Sequence, residues 1–276
     1  MHSFIVAYSQ SVPSPIAPRE ALPDPYAWMR DADRVAAHLE AERMAYDAGM
    51  AALAPLAQEV LAELVARTPD AERSVSRDHG PYTYYTLTPS GRELSELRRI
   101  LPRAGGLPGH APGHDELLVD LASFGSPYAA TGLEEPGEQI FAYSIDLTGA
   151  ERYTLRFRDF AAGTDLPLVI DDTYYSGAWL GDDFYFTVID DLNRPHEVHR
   201  VNPRTGARAV ILTEPDQRFE LTVRRSGDHL VIASHSRTTS ECWVMADGVA
   251  QSLRPRVDGV EYDVEWDHDR WLTLSN

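Results

Sequence analysis

Two different hydrophobic periods divide this chain. Val35, Leu39, Tyr46, Met50 and Leu53 recur at gaps of 4, 7, 4 and 3, the spacing of one helix face. Asp31 stands where it can cap that helix, and Asp33 falls in the first turn, where a carboxylate meets the positive helix end. Pro55 suits the first turn of a second helix, whose stripe of Leu53, Leu56, Val60 and Leu64 runs until Thr68-Pro69 stops it. Each helix then presents an apolar face that needs a cover.

From about Tyr82 the period becomes two. Tyr153, Leu155 and Phe157 alternate with Thr154, Arg156 and Arg158; Phe219, Leu221 and Val223 with Glu220, Thr222 and Arg224; Tyr262, Val264 and Trp266 with Asp263 and Glu265. Each pattern predicts a strand with one buried face. Turn residues separate them, among them Thr148-Gly149, Ser226-Gly227-Asp228 and Asp258-Gly259. No long helical pattern intervenes, which argues against a parallel α/β sheet.

The strands also repeat. Gly181-Asp182-Asp183-Phe184-Tyr185-Phe186-Thr187 resembles Gly227-Asp228-His229-Leu230-Val231-Ile232-Ala233, with a weaker copy at His268–Thr273 and an earlier one at Ile140–Ser144. The copies lie 44, 46 and 41 residues apart. Four strands per 40–45 residues is the signature of propeller blades, whereas a β-sandwich has no reason to repeat at one interval. The expected architecture is therefore mainly β: about four to five propeller blades over residues 73–276, which the family resemblance given below makes an incomplete propeller, preceded by a helical segment over 1–72. The stretch from Pro102 to Pro136, with six glycines and five prolines, reads as extended loop with one strand at Glu116–Leu121.

Composition adds a sign. There are 43 acidic and 25 basic residues among 276, a formal net charge of −18, and every basic residue is arginine. That balance disfavours nucleic acid, whose phosphates it repels, and suits a neutral or cationic partner such as a basic peptide. Cys242 is the sole cysteine, so no intrachain disulfide is possible, and its strand-like surroundings predict a small buried hydrophobe. The apolar Phe4–Ala7 run is too short for a secretory signal, and no later run reads as membrane-spanning; the expected location is the cytoplasm, with no membrane partner.

Catalytic candidates fare poorly. A nucleophile elbow needs glycine two residues before its serine, and no serine here has one. His235 among Ser234, Ser236 and Ser240 lies on a strand, where adjacent side chains point to opposite faces and form no relay. His110 and His114, with Asp115 or Glu116, have a ligand-like spacing, but Pro112 and Gly113 disfavour the helix that spacing needs. With no lysine there is no Walker lysine, and no G-x-G-x-x-G occurs. No catalytic, cofactor-binding or metal-binding residue is assigned. Trp179, Trp243, Trp266 and Trp271 are expected in blade cores. Asp190 and Asp191, after a strand, and Glu134-Glu135, in the loop region, read first as solvated charge and otherwise as groups that steer cationic peptides.

Asp24-Pro25-Tyr26-Ala27-Trp28-Met29-Arg30-Asp31 resembles the opening of prolyl oligopeptidases, and His38–Glu42 is similar to the helix that follows there. Ala142–Asp146 through Glu151–Arg156, Asn193–Val198, His235–Glu241 and Gly259–Glu265 resemble propeller segments of the oligopeptidase B branch, in family order. The resemblance implies N-terminal helices that pack on an α/β-hydrolase domain and a seven-bladed propeller that admits short peptides to a Ser-Asp-His triad. That triad lies beyond the propeller in the family, so this chain is expected to be inactive alone, its partners being short, possibly basic, peptides and a hydrolase domain or separate catalytic chain. The departure at Ser123–Glu138 puts that blade's path in question. A chain ending within a fifth blade, with Arg270–Ser275 as an open edge, is expected to self-associate. The alternative reading is a stand-alone propeller-like module that binds a protein or peptide without protease activity.

Overall fold

The computed structural model describes residues 24–101 and 115–276, in two compact units that divide between Pro69 and Asp70. In the first, helix α1 spans Ala32–Met50 and helix α2 spans Ala54–Arg67. Asp31 caps α1, its carboxylate accepting from the Asp33 and Arg34 amides at 3.1 and 3.2 Å, and Asp33 lies in the first turn. Pro55 sits in the first turn of α2, and Thr68 ends it. Neither helix has a buried residue. The alanine-rich run Ala32–Arg67 also contains a stretch long and apolar enough to cross a membrane, contrary to the sequence expectation, because alanines spread its apolarity outside any unbroken leucine–valine run.

The second unit starts three residues ahead of the expected boundary. Asp70 accepts from the Ser90 hydroxyl and the Gly91 amide, and β1 (Glu72–Arg73) pairs with β3 (Tyr82–Thr88). The other strands are β2 (Arg77–His79), β4 (Glu96–Ile100), β5 (Asp115–Asp120), β6 (Ala130–Pro136), β7 (Ile140–Asp146), β8 (Tyr153–Asp159) and β9 (Thr164–Leu180). They continue as β10 (Asp183–Ile189), β11 (Pro195–Val201), β12 (Arg208–Thr213), β13 (Glu220–Ser226), β14 (His229–His235), β15 (Ser240–Ala246), β16 (Val249–Arg254), β17 (Tyr262–Asp267) and β18 (Arg270–Ser275). All pairings are antiparallel between chain neighbours, apart from β1 with β3. The described residues thus form four four-stranded meanders, led by β2, β6, the second half of β9 and β13, and a terminal hairpin, β17–β18.

Strand β9 belongs to two meanders. Its first half pairs with β8 and its second with β10, and Thr173 is opposite both Tyr153 and Val188. The left-handed backbone of Asp172 (φ 58°) sits beside this switch, and the Thr173 hydroxyl donates to the Tyr153 carbonyl at 3.0 Å. Four apolar clusters fill the spaces between successive sheets. Phe141 and Tyr143 pack with Leu97 and Leu118; Leu155 and Phe157 with Trp179 and Phe184; Leu221 and Leu230 with Tyr185 and Val198; Val231 and Cys242 with Tyr262 and Val264.

The sequence repeat marks one hairpin. Gly80, Gly181, Gly227 and His268 each stand between the first and second strands of a meander, with φ of 56–60°. Gly227 is required twice over, since a Cβ there would also lie 2.7 Å from Trp266. The predicted inward positions of β8 and β13 are buried, Leu155, Phe157 and Leu221 completely. Two expectations change. Ser123–Glu138 does not derail its blade: Leu121–Phe124 make a 3-10 turn and Ala130–Pro136 enter the sheet as β6. Trp179 is buried, but Trp243, Trp266 and Trp271 are only partly so, and Trp266 and Trp271 form an edge-to-face cluster with His229 rather than a deep core.

Candidate functional site

The leading strands of successive meanders are linked by polar side chains that reach from one sheet to the next. At the first seam Arg77 of β2 donates to the Glu134 carbonyl and, at 3.3 Å, to the Glu135 carboxylate, both on β6. Three meanders later Arg224 of β13 repeats the arrangement on β17. It donates to the Val264 carbonyl and to the carboxylate of the next residue, Glu265, at 2.9 Å, with Asp263 as a further partner at 2.9 Å. Between these seams the Ser176 hydroxyl of β9 accepts from the Val223 amide of β13 at 3.2 Å.

A cavity of about 390 Å³ lies beside the Arg77 clamp. Tyr84, Tyr85, Leu133 and Phe141 give it an apolar wall, and Glu134, Glu135 and Tyr175 a polar rim. Burial raises the Glu135 carboxyl above its ordinary range even though Arg77 pulls it the other way. Burial, reinforced by Arg77 and Arg225, lowers His79 and favours its neutral ring. Such a cavity offers ionic and hydrogen-bonding contacts beside an apolar wall.

Glu134 and Glu135, expected in a loop, stand on β6, because that segment joins the sheet. Asp190 is a loop organiser: its carboxylate accepts from the Leu192 and Arg194 amides and the Arg194 guanidinium, which hold it low although burial opposes this. Asp191 is exposed. His235 is exposed while Ser234 is buried on the other face, bonded to Glu214 at 2.6 Å, and Ser240 bonds the Tyr262 backbone. Cys242 is fully buried, and burial pushes its thiol up to about 11. Asp115 and Glu116 pair with Arg98 and Arg99, while His110 and His114 lie outside the described residues, as does the Phe4–Ala7 run. The clamps themselves escaped the sequence reading. Arg77 and Glu135 are separated by 58 residues and Arg224 and Glu265 by 41, and no local motif links them.

Residues 9–276 match the family described as prolyl oligopeptidase, N-terminal beta-propeller domain. Protease 2 of Moraxella lacunata is 28% identical over 271 residues, and dipeptidyl aminopeptidase BI of Pseudoxanthomonas mexicana is 28% identical over 279. Each alignment covers 92% of this chain, which spans only 39% of either relative. Among solved structures, oligopeptidase B from Leishmania major superposes with a TM-score of 0.76 at 24% identity, covering 92% of this chain and 38% of that one. Oligopeptidase B from Trypanosoma brucei, in a closed form with covalently bound antipain, gives 0.73 at 28% identity with the same coverage. The ordered blade repeat, the helical lead-in and the match across residues 9–276 agree: this chain belongs to the prolyl oligopeptidase family, as its N-terminal β-propeller domain.

Proposed function

We propose that this propeller is the access-limiting part of a serine oligopeptidase. It admits short peptides, and excludes folded proteins, on the way to an α/β-hydrolase domain that carries the catalytic serine, in the same polypeptide or in a separate chain. The observation that supports this is the set of charged side chains that link the leading strands, Arg77 with Glu135 and Arg224 with Asp263 and Glu265. Exposed carboxylates among them and the net charge of −18 favour basic peptides. The exposed leucines of β18, Leu272 and Leu274, provide a surface for self-association of the isolated chain. The proposal places the work in the cytoplasm, which suits a chain whose lone cysteine is a buried thiol.

The test pairs this chain with a hydrolase domain. The purified 276-residue chain is assayed on arginyl and prolyl chromogenic peptides and with a fluorophosphonate probe, alone and joined to a family hydrolase domain. Hydrolysis and labelling are expected only with the added domain. Labelling of any serine in this chain would overturn the reading, since none has the surroundings that activate a hydroxyl.

A further inference from the structure

In two places this chain closes an aromatic ring and a carboxylate around one of its own arginines. The Arg99 guanidinium lies over Tyr82 and Phe160, 4.1 and 3.7 Å from the ring centres, and donates to Glu116 at 2.7 Å. Arg256 lies 4.0 Å over Phe219 and donates to Glu241 at 3.1 Å, with Glu214 as its other partner. A planar, weakly hydrated guanidinium suits such a place, because it stacks on the ring while its N–H groups reach the carboxylate.

The same parts stand on β9 with no arginine between them. Tyr174 and Tyr175 would point to opposite faces of a regular strand. At the switch beside Asp172, however, their rings lie 4.2 Å apart, and Tyr153 packs 5.2 Å from Tyr175. Tyr175 is 40% exposed on the rim of the 390 Å³ cavity, and Tyr174 is partly exposed. Two exposed carboxylates flank the pair. Glu151 comes from the turn between β7 and β8, where its left-handed backbone (φ 58°) is pinned by its amide donating to Asp146 at 2.8 Å. Hydrogen bonding with Tyr153, burial and Glu151 raise the Tyr175 hydroxyl above the ordinary tyrosine range. Glu220 opens β13, which the Ser176–Val223 bond holds against β9; burial, then Tyr175, Glu151 and Glu220, raise Tyr174 in the same sense. Among the described residues neither Glu151 nor Glu220 forms an ion pair, and no arginine lies over Tyr174 or Tyr175. Arg152, next to Glu151, is committed to Asp172 at 2.8 Å and to the Asn193 side chain at 2.7 Å.

We infer that Tyr174, Tyr175, Glu151 and Glu220 form a subsite for an incoming arginine side chain, whose guanidinium stacks on the tyrosine rings and pairs with the carboxylates as Arg99 and Arg256 do within the chain. The inference deepens the reading of this propeller as a path for basic peptides and rests on it. The subsite lies along the leading strands β9 and β13, so it engages a peptide that passes them. Lysine, a compact and strongly hydrated ammonium, is held less well there than arginine.

Saturation-transfer NMR titration of the whole 276-residue chain, with no hydrolase domain present, tests it. The probes are acetyl-Gly-Arg-Gly-amide and its citrulline counterpart, which keeps the shape and loses the charge. The arginine peptide is expected to bind about fivefold more tightly than the citrulline one, from one stacked ring and one exposed ion pair. Glu151→Gln combined with Glu220→Gln is expected to remove that preference, and Tyr174→Leu to weaken arginine binding about threefold. Asp263→Asn combined with Glu265→Gln, which removes carboxylates elsewhere on the leading strands, is expected to leave the preference unchanged. Circular dichroism checks each fold, and the two exposed glutamate changes decide the matter should Tyr174→Leu fail to fold. Equal binding of the two peptides, or an equal loss of preference in the Asp263→Asn, Glu265→Gln chain, would overturn the subsite. Because no hydrolase domain is present, this result is separate from whether the propeller keeps folded proteins out.

Discussion

Arg224 holds Glu265 across the β13–β17 seam at 2.9 Å while also gripping the Val264 carbonyl, and Arg77 holds Glu135 and the Glu134 carbonyl in the same order across β2–β6. A guanidinium fork suits this task because it donates to a carbonyl and a carboxylate from one rigid plane. A propeller whose basic residues are all arginine is well supplied for such joints.

Neither clamp is expected to contribute much to stability. Arg224→Ala and Arg77→Ala should each cost less than about 1 kcal/mol, the first because Asp263 and Glu265 are exposed, the second because Arg77 itself is more than half exposed. Urea denaturation of both variants measures this, and a loss of several kcal/mol for either would show that its carboxylate is left stranded away from water.

Strand register in the fourth meander is set by Leu221, which is fully buried among Tyr185, Val198 and Leu230. Leu221→Ala is expected to cost about 2–5 kcal/mol through the cavity it leaves, and Thr222→Ala, on the opposite face, far less. Equal shifts in thermal melts would mean that the two side chains do not occupy opposite faces.

Acid should destabilise the third meander through His199. Its side chain is 10% exposed; burial lowers its affinity for a proton, Glu197 opposes this at 2.8 Å, and the Arg208 Nε–H occupies Nδ1 at 2.9 Å. The folded pKa therefore lies below that of the unfolded chain, about 6.5, so the unfolded state takes up more protons and stability falls as pH drops from above 6.5 through the folded value. Thermal melts between about pH 7.5 and 5.5 should show this decline, and His199→Gln should flatten it. An unchanged slope in the variant would remove His199 as its source.

Cys242 should be inert in the native state. With the side chain fully buried and the thiol raised to about 11 by burial, it stays protonated at neutral pH and out of reach of Ellman's reagent. One equivalent is expected to react only after denaturation; rapid native reaction would show that the cluster around Tyr262 and Val264 opens readily.

Local rules made much of this fold readable. The Asp31 cap, the Pro55 start, the alternation at Tyr153–Phe157 and the hairpins at Gly181 and Gly227 are all decided within a few residues. What was hidden depends on partners distant in sequence. The glycine- and proline-rich approach to β6 masked a strand that pairs with β7, and no local rule announces that β9 serves two meanders through Thr173. The candidate site was hidden for the same reason: Glu135 looks like surface charge until β2 brings Arg77 beside it.

The account's central claim is that this chain limits access and leaves the chemistry to another domain. The direct measurement is kcat/KM for a short basic peptide and for the same sequence embedded in a folded protein, using a family hydrolase domain with and without this propeller. The account predicts that the propeller leaves cleavage of the short peptide intact and suppresses cleavage of the embedded sequence by at least about tenfold, the equivalent of 1.4 kcal/mol in barrier. The same ratio of the two rates with and without the propeller would contradict it.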